Sequence, residues 1–233
     1  MTDQRLTRFR ALHQGARCVI VCNGPSLNQT DLGLLRGEIV FGLNKIHLGL
    51  ARFGFYPRYL VAVNDKVIAQ SQAAYARMTA IKFLTERAAP LFAQDALTYH
   101  IHTSGLTERF YGDITQGVRE GHTVTHAALQ IAYYMGFAEV VIVGMDHRFA
   151  PSGPPNSEQV MQGPDPNHFS PAYFGGQSWD APNLAESEIS YQAALARFAA
   201  EGRQIWDATV EGACTIFPKK PLSAALGRHK TPR

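Results

Sequence analysis

The chain has 233 residues, of which 45% are hydrophobic and 18% charged, and this composition excludes a disordered protein. Its length suits one large domain. The net charge of +3 is uneven, because residues 219–233 carry five cations and no acid and the remaining residues carry a net −2. This balance argues against a nucleic-acid-binding body. It predicts a single domain over 1–218 and a poorly ordered basic tail over 219–233.

The cysteine content and the N-terminus indicate the compartment. Cys18, Cys22 and Cys214 are too few and too scattered for a disulfide framework or a zinc site. No apolar stretch approaches the roughly 20 residues that a membrane-spanning helix requires. The first residues lack the apolar core of a secretory signal. We therefore expect a reduced, cytoplasmic protein.

Short apolar runs rich in β-branched residues recur along the chain and predict strands. Because these runs do not alternate with polar residues, they suit strands that are buried on both faces of a parallel sheet. Their ranges are 18–22, 39–43, 59–63, 80–84, 98–102, 139–143 and 204–206. Helices are predicted over 2–14, 66–78, 124–135 and 185–201. The alternation predicts an α/β fold, a doubly wound and mostly parallel sheet with helices on both faces.

One long segment interrupts this pattern. Residues 149–183, called the lid below, hold seven of the thirteen prolines. A stretch of this length without regular structure is typical of a functional lid or of a disordered excursion. Its aromatic residues favour a lid that docks over the carboxyl edge of the sheet; they are Phe169, Tyr173, Phe174 and Trp179.

Polar residues follow four of the predicted strands. In parallel sheets ligands bind beyond the carboxyl ends of the strands, so these positions are candidates for nucleotide binding. Asparagine is also a common turn residue, and each position alone has this simpler explanation. The candidates are Asn23, Gly24, Pro25, Ser26, Asn44, Asn64, Asp65, Gly144 and Asp146.

Two of the candidate turns could each begin a helix whose N-terminus faces a bound anion. In the first, Gly24 allows close approach of a ligand, Pro25 stiffens the turn, and Ser26 can cap a helical turn. In the second, Thr123 and Thr125 begin the helix over 124–135. Capping without a ligand explains both turns equally well. Neither matches the three-glycine dinucleotide fingerprint or the lysine-containing phosphate loop.

Two histidines and a tyrosine are the candidate catalytic residues. His147 follows the strand-end Asp146 and could be a base, a metal partner or a turn residue. His168 lies in the lid, where closure would bring it to the cleft to accept a proton from an acceptor hydroxyl. Tyr173 lies in the same segment. No zinc-ligand spacing is present, and we expect no bound metal at these positions.

Several blocks of the sequence resemble known families. The turn at 23–27, Asn44 and the Gly-Met-Asp at 144–146 resemble bacterial sialyltransferases that use CMP-sialic acid on a Rossmann-like fold in lipooligosaccharide synthesis. Stretches at 42–46, 123–125, 132–137, 167–169 and 173–175 resemble more closely the MptE-like proteins, named after an archaeal 6-hydroxymethylpterin diphosphokinase. This second likeness covers most of residues 17–218.

The resemblance implies a nucleotide-sugar glycosyltransferase of surface polysaccharide or lipopolysaccharide synthesis. The donor would be a CMP-activated acidic sugar held by the strand-end residues, with no further cofactor. His168 and Tyr173 are the nearest counterparts of the sialyltransferases' lid base and leaving-group tyrosine. The family's His-Tyr-x-x-His spacing is absent, however, and Gly121 stands where an arginine is found in that group, with Arg119 nearby.

Two alternatives remain open. One is pyrophosphoryl transfer from ATP to a pterin, for which Asp65 and Asp146 would hold Mg²⁺. The other is a non-catalytic nucleotide-binding protein. The expected partners are a nucleotide donor, a glycan or small-molecule acceptor and further copies of the chain, but no nucleic acid. The basic tail could contact anionic lipids at the inner membrane face.

Overall fold

The computed structural model describes residues 3–150 and 153–227. Within these residues the strands are β1 (Arg17–Val21), β2 (Val40–Leu43), β3 (Tyr59–Ala62), β4 (Ile81–Thr85), β5 (Thr98–Ile101), β6 (Glu139–Val143), β7 (Glu158–Val160), β8 (Ser178–Asp180) and β9 (Gln204–Asp207). The α-helices of the same residues are α1 (Leu50–Phe53), α2 (Asp65–Arg77), α3 (Val124–Tyr134), α4 (Leu184–Ala199) and α5 (Leu222–Ala225). Every predicted strand is present within one residue at each end.

Seven strands form one parallel sheet in the order β5-β4-β3-β2-β1-β6-β9. The chain builds outward from β1 through β5 in one direction, then returns to the other side of β1 with β6 and β9. The strand order therefore reverses between β1 and β6, where Val19 pairs with both Val40 and Val141. The predicted doubly wound, Rossmann-like α/β fold is confirmed.

Both faces of the sheet are buried, which explains why the strand sequences do not alternate. Cys18 and Ile20 of β1 pack in the core that contains α3 and α4. Val19 and Val21 point to the opposite core, which contains α2 and the lid aromatics. All four side chains are fully buried. Each strand residue thus meets an apolar layer whichever way it points.

The first helix differs from the prediction over 2–14. A 3₁₀ helix spans Gln4–Phe9, and Ala11 then adopts a left-handed φ of 52°. The following amides bond to the end of α3, with Ala11 N donating to Tyr134 O and His13 N to Met135 O. These tertiary hydrogen bonds replace a continued helix. Thr2, where the helix was predicted to begin, lies outside the described residues.

The lid is more ordered than its composition suggests. Strands β7 and β8 form an antiparallel pair, and the segment between them returns to the carboxyl edge of the sheet. There Phe169 N donates to Asn23 O at 2.9 Å. The four lid aromatics are buried, as expected for a lid that docks. Residues 151–152 of the lid lie outside the described residues.

The beginning of the basic tail is packed, which corrects the expectation of a poorly ordered end. Lys219 forms a parallel bridge and an ion pair with Asp207, and Lys220 lies over the Trp206 ring. Leu222 and Leu226, in and after α5, are buried. The remaining cations, Arg228, Lys230 and Arg233, lie outside the described residues. No helix in the described part of the chain is long and apolar enough to cross a membrane.

Candidate functional site

A cavity of about 860 Å³ opens at the carboxyl edge of the sheet, between the strand ends and the lid. It lies where the strand order reverses between β1 and β6, the position at which open α/β sheets bind ligands. Its volume is in the range of small-molecule sites. Residues that follow each of the strands β1 to β6 line it, together with the start of α3, the lid and the start of α4.

The turn after β1 is joined to the turn after β6. Gly24 N donates to Gly144 O at 2.8 Å, and Asp146 accepts hydrogen bonds from Ser26 N at 3.0 Å and Ser26 Oγ at 2.6 Å. A Cβ on Gly24 would lie 1.9 Å from Asp146 Oδ2, so only glycine fits. Pro25 and Ser26 face a second cavity of about 390 Å³, and not the main one.

Asn23 and Asn44 follow neighbouring strands and both line the cavity. Asn23 Nδ2 donates to Leu43 O at 3.0 Å, which joins the ends of β1 and β2. Asn44 has a left-handed φ of 44°. The amide oxygens of both side chains are buried and accept no hydrogen bond from any described residue. Because buried polar atoms are nearly always paired, we expect these two oxygens to accept hydrogen bonds from a ligand.

Asn64 and Asp65 have different roles from each other. Asn64 Oδ1 caps α2 by accepting from Val67 N at 3.1 Å, and its Nδ2 donates to Asp180 in the lid at 3.3 Å. Asp65 is not on the cavity wall; both its oxygens accept from Arg87 Nε, at 3.0 and 2.9 Å. Arg87, which follows β4, lines the cavity beside this strand end.

The start of α3 faces the cavity with two threonines. Thr123 Oγ1 caps the helix by accepting from Thr125 N at 3.3 Å and lies 3.2 Å from Tyr191 Oη. Thr125 Oγ1 lies 3.4 Å from Cys22 Sγ. The N-terminus of an eleven-residue helix therefore points at the cavity, where its partial positive charge favours an anion.

In the lid, a histidine and an aspartate form a hydrogen-bonded pair. His168 Nδ1 donates to Asp165 Oδ2 at 2.8 Å, and His168 lines the cavity. Asp165 is fully buried and also accepts from the amides of Asn167 at 2.8 Å and Phe174 at 3.2 Å. Burial alone would raise the pKa of Asp165, but these hydrogen bonds and the His168 charge outweigh it and lower that pKa. The arrangement uses Nδ1 of His168 for the bond to Asp165, so Nε2 is the ring nitrogen not engaged by that carboxylate.

Tyr173 lies beneath His168. Their rings stack in parallel with centroids 3.8 Å apart and an angle of 2°. The Tyr173 hydroxyl accepts from Lys45 N at 3.4 Å, and burial raises its pKa far above the ordinary value. Tyr173 thus supports the histidine ring, while its hydroxyl points toward the end of β2.

A second histidine–carboxylate pair lies on the cavity wall. His147 Nε2 is 2.9 Å from Glu188 Oε1 of α4, and the His147 side chain is nearly buried. The backbone of His147 has a left-handed φ of 55°, which turns the chain after β6 toward α4. His147 and His168 therefore face the same cavity from different elements.

The cationic side chains of the cavity differ in their partners. Arg87 is paired with Asp65 and Glu120, and Lys66 with Glu158 and Asp180. Arg119 and Arg148 form no ion pair with any described carboxylate; each donates to a backbone carbonyl, of Leu106 and Glu211 respectively. These two guanidinium groups are available to an anionic ligand.

The structure brings most of the candidate residues to one cavity wall: Asn23, Gly24, Asn44, Asn64, Thr123, Thr125, Gly144, Asp146, His147, His168 and Tyr173. Pro25, Ser26 and Asp65 lie outside it. Asp165, Glu188 and Arg148 were not among the residues predicted from the sequence. The spacing of Asp165 three residues before His168 was a signal for the first; Glu188 and Arg148 have no comparable local signal.

Comparison with solved structures supports the fold. The chain resembles the MAf glycosyltransferase from Magnetospirillum magneticum AMB-1, with a TM-score of 0.60 and 14% identity over 92% of this chain. The alignment covers 35% of that glycosyltransferase, so the present chain corresponds to about a third of its length. At this identity the likeness establishes the shared fold. No curated protein matches the chain.

A family model matches residues 2–152, which include every strand from β1 to β6 and end within the first residues of the lid. The matched region contains the turn after β1, the ends of β2 and β3, the start of α3 and the turn after β6. It covers well over half of the chain. The protein therefore belongs to the family described as 6-hydroxymethylpterin diphosphokinase MptE-like.

Proposed function

We propose that the protein is a transferase that binds a nucleotide-activated donor in the main cavity, and specifically a glycosyltransferase of surface polysaccharide or lipopolysaccharide synthesis. The proposed donor is a CMP-activated acidic sugar, similar to CMP-sialic acid. The observation that carries the proposal is the His168–Asp165 pair on the wall of a cavity at the strand-order reversal. It provides an oriented base beside a site of suitable size.

In the proposed reaction, His168 Nε2 removes the proton from an acceptor hydroxyl. The acceptor oxygen forms a bond to the anomeric carbon as the bond from that carbon to the phosphate oxygen breaks. CMP departs with the electron pair, and the proton remains on His168 until solvent takes it. Asp165 keeps Nδ1 protonated and compensates the imidazolium charge.

Charge on the departing CMP would be stabilised by groups already positioned at the cavity. Arg119 and Arg148 lack carboxylate partners among the described residues, and the start of α3 adds its helix dipole. Such stabilisation depends on fixed positive groups at the atoms where negative charge develops. Asn23, Asn44 and Asn64 would hold the base and ribose from the strand ends.

The family description favours a second candidate, pyrophosphoryl transfer from ATP to a pterin. This chemistry ordinarily uses Mg²⁺. The two acids expected to bind it do not fit a shared site, because Asp65 is paired with Arg87 off the cavity wall and Asp146 accepts two bonds from Ser26. Among the described residues, no three His, Cys, Asp or Glu side chains converge as metal ligands.

Calorimetry separates the candidates. The protein is titrated with CMP and, in a separate experiment, with ATP and Mg²⁺; we expect CMP to bind. Turnover is then measured with CMP-activated acidic sugars as donors. Stronger binding of ATP with Mg²⁺ and transfer to a pterin would replace the first candidate with the second. Nucleotide binding without any turnover would identify a non-catalytic nucleotide-binding protein.

Variants of the lid pair test the proposed base. His168→Gln and Asp165→Asn should each lower turnover by roughly 10²–10⁴-fold while CMP binding is retained. His102→Gln is a matched control, because His102 is paired with Glu86 at 2.6 Å but lies away from the cavity wall. Equal activity of all three variants would exclude His168 as the base.

A further inference from the structure

A buried lysine beneath the lid makes its side-chain hydrogen bonds and its cation–π contacts with lid residues. Lys45 follows Asn44 at the end of β2 and is 3% exposed. Its Nζ donates to Tyr173 O and to Gln177 Oε1, each at 2.6 Å. No described carboxylate forms an ion pair with it. Two neutral oxygens of one lid segment therefore bind the ammonium group directly, and the Asp165 charge adds a favourable electrostatic interaction.

Aromatic rings of the same segment complete the surroundings of the Lys45 side chain. Its Nζ lies 4.5 Å from the centroid of Phe174 and 5.5 Å from that of Tyr173. Burial lowers the pKa of Lys45 to about 8, which reflects the loss of water around the ammonium group. If the lid moved away, the nitrogen would lose both acceptors and both rings. The lysine and the docked lid consequently stabilise each other.

The residues held by Lys45 are those that support the proposed base. Tyr173 stacks in parallel on the His168 ring. Phe174, the next residue, donates its backbone amide to Asp165, which in turn holds Nδ1 of His168. Two short paths therefore lead from Lys45 to the imidazole, one through ring stacking and one through the carboxylate.

We propose that Lys45 is a positioning residue that fixes the His168 ring by holding Tyr173 and Gln177 against the end of β2. Its catalytic consequence rests on the proposed function, whereas its effect on the ring geometry does not. Lys45 itself is absent from the cavity wall and touches no substrate in this proposal. Its influence on turnover acts through the lid.

The test uses the full chain with Lys45→Met, which keeps an unbranched apolar side chain one atom shorter and removes the ammonium donors. The matched control is Lys82→Met, because Lys82 is also 3% exposed and also donates only to uncharged carbonyls, Met78 O and Ala80 O, but lies in β4 away from the lid. Thermal unfolding of both variants measures the general cost of replacing a buried lysine.

The first readout is the NMR signal of the His168 Nδ1 proton, assigned by its loss in His168→Gln. In the unmodified protein the hydrogen bond to Asp165 should shift it downfield and slow its exchange with water. Lys45→Met should move the signal and accelerate its exchange at least tenfold, whereas Lys82→Met should leave both unchanged. An unchanged His168 signal in Lys45→Met overturns the proposal.

The second readout is activity. Lys45→Met should lower kcat by about 10- to 100-fold with little change in the Kd of CMP, as expected when a base is misplaced by a fraction of an ångström. Absence of turnover in the unmodified protein would refute the proposed function and leave the NMR result to decide the role of Lys45. If Lys45→Met does not fold, Gln177→Ala removes one acceptor only, and an unchanged His168 signal in that variant overturns the proposal equally.

Discussion

His126 connects the helix that borders the site to the pH dependence of stability. It is fully buried in α3, its Nε2 donates to Arg109 O at 2.7 Å, and its Nδ1 has no hydrogen-bond partner among the described residues. Burial is the main reason that its pKa falls from 6.5 to about 4. The folded protein therefore binds a proton there less readily than the unfolded chain does.

The first prediction concerns acid stability. A histidine with a lowered pKa contributes stability that is complete above pH 6.5 and is lost as the pH falls toward 4, by about 3 kcal/mol for this residue. His126→Gln keeps a donor and removes the titration. Urea unfolding at pH 7 and pH 4 should show a smaller pH-dependent loss in the variant. Equal losses would show that His126 does not titrate in this range.

The second prediction concerns the strand-end amides. Asn23→Ala and Asn44→Ala should each weaken nucleotide binding by about 1–3 kcal/mol, because each removes a buried group assigned to the ligand. The loss of stability should be smaller than the loss of affinity. Gln116→Ala, at an exposed position away from the cavity, is the control in calorimetry. Unchanged affinity in both asparagine variants would make them turn residues only.

The individual site residues differ in how far sequence alone could identify them. Asn23, Asn44 and Asn64 follow strands, so the parallel sheet predicts their common edge. Asp165 lies three residues before His168, and this local spacing is a signal for their pairing. Glu188 meets His147 across 41 residues, in a contact that depends on where α4 packs. The second contact follows from tertiary packing and has no periodic signal.

At the scale of elements, the turns after β1 and β6 behave as one unit. Asp146 accepts two hydrogen bonds from Ser26, and Gly24 lies directly against Gly144. The third prediction is that Gly24→Ala destabilises the fold by about 1–3 kcal/mol and weakens nucleotide binding, because its Cβ would overlap Asp146.

The control for Gly24→Ala is Gly33→Ala, whose Cβ would meet a single flexible oxygen, Asp31 Oδ1, at 3.2 Å. Thermal unfolding and CMP titration of both variants measure the two effects. A Gly24→Ala protein as stable as Gly33→Ala would show that the two turns can separate without cost.

The strands were predictable from sequence, whereas the first helix was not. Apolar runs such as 139–143 are buried on both faces, and this leaves a continuous pattern along the chain. The helix predicted over 2–14 has suitable residues, but its backbone bonds instead to the end of α3. Local sequence preference determined the strands, whereas hydrogen bonds to a segment distant in the chain determined the structure of the first residues.

At the scale of the whole molecule, the packing of Lys219 and Lys220 reduces the basic tail to three cations. The fourth prediction is that the full chain sediments with anionic vesicles at low salt more than a chain ending at Gly227, since each cation near an anionic surface contributes about 1 kcal/mol. Physiological salt should release the full chain from the vesicles, because the Debye length falls to about 8 Å and the attraction between the cations and the lipids is screened. Equal sedimentation of the two chains would remove the tail from any membrane role.

Self-association stays a prediction, to be measured by light scattering of the purified chain over a range of concentrations. We expect a homo-oligomer. A constant mass of 25.6 kDa at all concentrations would contradict the expectation.

The position of β1 between β2 and β6 has a consequence for synthesis on the ribosome. Residues 17–101 can pair β1 through β5 as they emerge, but the other edge of β1 waits for Glu139–Val143. Until then the nascent chain exposes the unpaired edge of a strand whose last four residues are apolar, a site for chaperones or for misassembly. We expect a pause in translation between residues 101 and 139 to leave that edge of β1 unpaired for longer than a pause elsewhere in the chain.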